Sequence, residues 1–440
     1  MLPHPNRERR GRPVVWGLVG QSLSSATNFA LSVMAGRTLG PSGLGRILIG
    51  FAAYLIVLGL HRALLVEPLV ASSSARAAGD RRLSASRALT ISASFAVSST
   101  VLVAGAGAVV GGVTGSGLLL VAPWLVPCLV QDLCRWILFR DERPVAAVTS
   151  DGAWLLVMVV TVPFAWLIGS DWAVMAAWGA GALGGTIVGL AQLSTPPSRM
   201  SAAWHWWRDE AWPFGRWVAG ATALGTLLGN AMTFMVSALL GTGALGGLRA
   251  AETMFAPLTL IIPALALPGL PALARAVERG AQRRLAWRYS GLALAGVTAY
   301  TAVMLLGGAR LLTFVFGTGF ARFSDLVWPI GASQIFLAGG VGASLMLRAR
   351  QRGPAILVSR VTGSGLALAL GAALAHPLGV VGVAWANAAG TFTTSTIQIG
   401  TSGALRGDDA LETTVGPVAS ETRLSSISIV AGRRLAKDDS

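Results

Sequence analysis

Arg62, Asp132, Arg135 and Asp151 stand inside long apolar runs. An ionised side chain there costs about 2.5 to 3.5 kcal/mol on insertion scales, so each must face protein or a wet cavity. At about 1.5 Å of helix rise per residue, the four lie roughly 8 to 12 Å from the same membrane face and share one layer. Two chemistries suit such a layer. One is a structural ion-pair network that locks a helical bundle. Asp132 and Arg135, three residues apart, are neighbours on one helix and able to pair, while Arg62 and Asp151 come from other helices of the same half. The other is recognition of an anionic headgroup, because a planar guanidinium in a low-dielectric cavity suits two phosphate oxygens at once. Arg249 and Glu252 repeat the three-residue spacing, which serves either self-pairing or a ligand or gate role. An unperturbed imidazole titrates near neutral pH, so His61, beside Arg62, suits proton coupling, although an ordinary hydrogen bond also accounts for a lone histidine. Asn28 and Asn230 are uncharged amides inside apolar runs, fitted to interhelical hydrogen bonds or to lining a sugar-accommodating cavity.

The elements that must position these residues are membrane helices. A span of hydrocarbon takes roughly 20 apolar residues, and such stretches follow one another with short polar breaks. Twelve are expected, at about 14–34, 47–70, 88–111, 118–140, 144–168, 172–193, 215–240, 248–272, 287–307, 325–347, 354–375 and 378–402. The chain is 53% hydrophobic and only 12% charged, where a soluble domain carries roughly 25% charge. The net charge of +15 does not imply nucleic acid, because the basic residues form short clusters between spans rather than a basic domain. With alternating spans, 26 of the 34 Lys and Arg fall on one side. That asymmetry places both termini in the cytoplasm.

The expected organisation is a basic cytoplasmic N-terminus (1–13), a six-helix bundle (14–194), an interfacial linker (195–214), a second six-helix bundle (215–402) and a polar cytoplasmic tail (403–440). Arginines before the first span, with no small-residue cleavage site after it, read as an uncleaved signal anchor. The linker carries Trp204, Trp206, Trp207 and Trp212 around Arg208, Asp209 and Glu210, a composition suited to the bilayer interface. Cys128 and Cys134, six residues apart in one span, point to different helix faces and make neither a disulfide nor a metal site.

An internal repeat relates the two bundles. Leu39-Gly40-Pro41-Ser42-Gly43-Leu44-Gly45 follows the first span and Leu240-Gly241-Thr242-Gly243-Ala244-Leu245-Gly246 the seventh, both reading LGxxxLG. The spacing demands a tight, glycine-permissive turn between two helices. Six spans on either side of the linker give the halves one orientation, related by an axis along the membrane normal.

The run from Gln21 to Phe29, the stretch Gly36-Arg37-Thr38-Leu39-Gly40-Pro41 through Gly45-Arg46, Gln131 to Arg135, and Leu311 to Gly317 resemble bacterial polysaccharide-biosynthesis flippases of the multidrug/oligosaccharidyl-lipid/polysaccharide exporter superfamily. The resemblance covers about 14–402 and implies a two-bundle, all-α transporter. It implies a substrate too: oligosaccharide or polysaccharide precursors linked to polyprenyl (pyro)phosphate, moved from the inner to the outer leaflet of the bacterial plasma membrane. On that expectation Arg62, Arg135, Asn28, Asn230 and Arg249 contact substrate, while Asp132, Asp151, Glu252 and His61 serve ion pairing or coupling to a proton or sodium ion. No cofactor and no metal are expected.

Two other classes compete. A small-molecule exporter of the same superfamily would use the same architecture, but embedded arginines favour an anionic over a cationic substrate. A membrane glycosyltransferase or polymerase would need a carboxylate-bearing or large extramembrane loop, whereas the outer loops are short and nearly uncharged. No phosphate loop, HExxH, GxSxG or dinucleotide fingerprint stands in a credible context.

Overall fold

The computed structural model describes residues 7–73, 78–258, 269, 272, 273, 275, 276, 278–350 and 352–403. Among these the chain is helical apart from short connections and contains no strand. Helix is what a bilayer selects, because each backbone N–H and C=O must be satisfied within its own segment. The helices are α1 (Arg7–His61), α2 (Glu67–Ser73), α3 (Ala78–Val110), α4 (Gly112–Val121), α5 (Leu125–Arg140), α6 (Pro144–Ile168), α7 (Asp171–Leu193), α8 (Met200–Trp206), α9 (Trp212–Met254), α10 (Arg279–Phe316), α11 (Val327–Ala349) and α12 (Gly353–Ser402). Among the described residues, nine continuous helical stretches are long and apolar enough to cross a membrane.

Three of those stretches are folded back on themselves. Gly40 (φ 67°, ψ −171°) interrupts α1, Gly241 (φ 81°, ψ 170°) interrupts α9, and Gly379 (φ 59°, ψ −147°) interrupts α12. In a straight helix Asn28 and Leu55 would stand about 40 Å apart, yet both line one small cavity. Gly363 and Gly390, equally far apart in α12, meet backbone to backbone. The first two breaks are the turns of the LGxxxLG repeat. A side chain at Gly40 or Gly241 would be strained at these positive φ values, which is why glycine stands there.

Between helices, small residues let backbones touch, as packing without a hydrophobic drive requires. A Cβ on Gly50 would collide with the Gly117 carbonyl, one on Gly342 with that of Ala286, and Gly363 and Gly390 block each other. Replacing Gly390 by leucine is therefore expected to part the two arms of α12 and lower the melting temperature in detergent. Overpacking of this kind costs about 1 to 3 kcal/mol. Gly400→Leu, at a position where an added Cβ meets nothing within 4 Å, should melt like the parent. One hydrophobic core runs through the first and second arms of α1, α7, α9 and α10, with Ile47, Trp178, Leu248 and Phe316 among its buried members. At one end of the molecule Arg46 clamps Asp171 through two hydrogen bonds of 2.5 and 3.0 Å, tying the second arm of α1 to the start of α7.

The linker segment contains α8, and π-helical turns at Trp207–Ala211 carry it straight into α9. Trp204, Trp207 and Trp212 stack there with ring centroids 5.0 and 5.1 Å apart, while Trp206 turns into the core. Most of the expected eighth span beyond Leu258, residues 1–6 of the expected basic N-terminus, and the tail from 404 lie outside the described residues.

Candidate functional site

Two adjoining cavities occupy the middle of the molecule and share Phe51 and Leu55 as a common wall. The first, about 320 Å³, is walled by Asn28 on the first arm of α1, Tyr54 and Arg62 on or just after the second arm, Asp132 and Arg135 on α5, Asp151 and Trp154 on α6, and Trp178 on α7. The second, about 350 Å³, is lined by Asn230 and Thr233 on the first arm of α9, Arg249 and Glu252 on its second arm, and Asn387 on α12. Each part of this divided hollow thus holds both guanidinium and carboxylate groups.

In the first cavity the charges pair between helices. Arg62 presents its guanidinium fork to Asp132, with Nε donating to Oδ2 at 2.9 Å and Nη2 to Oδ1 at 2.6 Å. A π-helical turn, Arg62–Val66, begins at this residue. Such turns widen a helix locally and re-aim its side chains. The indole of Trp136 lies 6.0 Å from the Arg62 guanidinium carbon, within cation–π range. Arg135 places Nε 3.4 Å from Asp151 Oδ2, while Gln131 donates to Asp151 Oδ1 at 3.0 Å and to Ser150 Oγ at 3.2 Å.

The expected pairing of Asp132 with Arg135 along one helix is not formed. Both side chains lean toward facing helices, where a partner approaches head-on. Neighbours three apart on one helix project side by side and meet only obliquely. The two arginines consequently differ. Arg62 has its fork filled, whereas Arg135 has no hydrogen bond at either terminal nitrogen among the described residues.

Arg249 and Glu252 do approach each other, at a loose 3.5 Å, each about 40% exposed to the second cavity (40% and 38%). Asn230 donates to the Thr226 carbonyl at 2.9 Å and keeps its own carbonyl oxygen free. His61 is set apart from the rest: its ring is fully buried, shares a 2.8 Å hydrogen bond with Ser92 Oγ, packs against Phe95 and lines neither cavity. Asn387, Tyr54, Trp154 and Trp178 were not singled out from the sequence. Asn387 carried the same signal as Asn230, an amide in an apolar run. The aromatic walls carried none, since an aromatic residue inside a span is ordinarily a packing residue. Cys128 and Cys134 are buried free thiols, and no cluster of three or more metal-binding side chains occurs among the described residues.

This is the architecture of a multi-pass helical membrane protein. No family model matches the sequence and no curated protein is similar to it in sequence. Solved structures do share its fold. The lipid II flippase MurJ in an inward closed conformation aligns with a TM-score of 0.66 at 11% identity, over 88% of this chain and 87% of that one. An inward-facing multidrug-resistance MATE transporter of the MOP superfamily aligns at 0.67 and 12% identity, over 86% and 93%. An outward-facing MATE transporter of that superfamily aligns at 0.58 and 13% identity, over 88% and 93%. The fold is therefore the one that these solved transporters share.

Proposed function

We propose that this chain carries a lipid-linked anionic saccharide, of the polyprenyl (pyro)phosphate class, from the cytoplasmic to the outer leaflet of a bacterial plasma membrane by alternating access. The observation that carries this reading is Arg135: a guanidinium on the wall of a polar cavity, its side chain only 15% exposed, with its terminal donors uncommitted among the described residues. Phosphate oxygens are the acceptors that such a fork fits. Two helical bundles rocking about the shared wall at Phe51 and Leu55 would pass the headgroup between leaflets while the lipid tail stays in the bilayer. An inside-negative potential drives an anion outward by about 2.3 kcal/mol per charge per 100 mV, and a proton or sodium ion offers a second source of drive. The arginine-rich loops assign the cytoplasmic side, and with it both termini.

Charge balance supports a second reading. The first cavity holds two guanidinium groups and two carboxylates, and the second holds one of each. A hollow with no net charge does not repel a cationic or zwitterionic small molecule, so an exporter of such molecules has the same support in the fold. The two are separated with purified protein in vesicles. The flippase reading expects a fluorescent polyprenyl-pyrophosphate glycan to reach the opposite leaflet in a protein-dependent manner, with fluorescent organic cations left behind. Movement of the cations alone would reverse the assignment.

A further inference from the structure

The two LGxxxLG turns lie against each other at the end of the molecule opposite the arginine-rich loops. A Cβ on Gly45 would collide with the Thr242 carbonyl, and one on Gly246 with the Pro41 carbonyl. Aligning the two motifs equates Pro41 with Thr242 and Gly45 with Gly246. The two collisions are therefore one contact read twice, as a local two-fold axis through the interface requires. Between the turns, a Cβ on Gly243 would sit 3.3 Å from Ser42 Oγ. Backbone meets backbone over the whole patch, with no room for a side chain larger than hydrogen at either keyed glycine.

A single cross-tie reinforces one flank. Arg37, at the end of the first arm of α1, donates from Nε to the Val315 carbonyl at 2.7 Å and from Nη2 to the Phe314 carbonyl. These carbonyls belong to the last turn of α10, where no intrahelical partner exists and the helix dipole favours a cation. The motif register matches Arg37 to Ala238, so the other flank has no equivalent tie.

We propose that the paired turns form the gate that shuts the cavity from the outer side, with Gly45 and Gly246 as its steric keys and Arg37 as a releasable latch. Closure needs the backbones to nest, and the latch adds charge-assisted hydrogen bonds that break when the halves separate. The proposal rests on alternating access and is independent of the substrate.

Its test needs no substrate. Thr233 lines the second cavity; as the Thr233→Cys variant in vesicles of known orientation, it reports exposure to a membrane-impermeant maleimide from either side. Labelling is expected from the cytoplasmic side in the parent. Adding Gly246→Leu or Arg37→Gln should raise labelling from the outer side about tenfold, in proportion to the open population. Arg37 is exposed, so Arg37→Gln keeps the test valid should Gly246→Leu misfold. In a second arm, Ser42→Cys/Gly243→Cys should cross-link under mild oxidant and hold outer-side labelling at background even with Arg37→Gln present. Outer-side labelling unchanged by both gate variants would overturn the gate while leaving alternating access intact. Labelling from neither side in any variant would overturn alternating access, and the gate with it.

Discussion

Arg62→Ala is expected to destabilise the fold by about 3 kcal/mol, the lower end of the range for removing one partner of a buried ion pair. Asp132 would be left with its side chain 5% exposed and no guanidinium to neutralise it, while the pair's partial hydration, Arg62 being 36% exposed, holds the cost below the upper end. The expected result is a fall in membrane yield and in melting temperature. Arg62→Gln/Asp132→Asn should recover both, because the two amides restore a hydrogen bond without a charge to bury. A parent-like melting curve for Arg62→Ala would show that the pair contributes nothing to stability and would return Arg62 to the set of substrate contacts.

Arg135→Gln has the opposite profile. Its terminal nitrogens hold nothing among the described residues, and Asp151 keeps the Gln131 hydrogen bond when the guanidinium is gone. Transport of a polyprenyl-pyrophosphate glycan in vesicles should fall about 10- to 100-fold. That range corresponds to losing a charged hydrogen bond worth about 1.5 to 3 kcal/mol, while the melting temperature falls less than in Arg62→Ala, because the Asp151 contact is a loose 3.4 Å and Asp151 keeps the Gln131 hydrogen bond. Arg135→Lys should retain part of the rate, since an ammonium keeps the charge but not the two-pronged geometry. A full transport rate in Arg135→Gln would remove the observation on which the proposed substrate class rests.

The difference between those variants shows where sequence reading stops. From spacing alone Arg62 and Arg135 were equivalent, two arginines in one layer of one half. Their partners lie on other helices: Arg62 is separated from Asp132 by 70 residues along the chain. Helical periodicity constrains which residues share a helix face but says nothing of which face meets which. For the same reason the local Asp132–Arg135 pair looked favourable and does not form, whereas the Arg249–Glu252 pair, with no stronger partner opposite, does approach. His61 looked exposed to coupling chemistry because it adjoins Arg62, yet successive residues on a helix diverge by about 100°, and that turn sends it to Ser92 instead of the cavity.

What the sequence by itself determined is what depends on local physics: helices, because apolar runs in a bilayer have no other way to satisfy their backbones; embedded charges that need partners; and glycine at two equivalent turns, because only glycine accepts their geometry. Tertiary structure decided the rest. Which carboxylate neutralises each arginine, which arginine keeps free donors, and the fact that the two turns press against each other all depend on how folded-back helices pack. Such packing is a sum of many weak contacts between residues distant in sequence, and no local spacing encodes it.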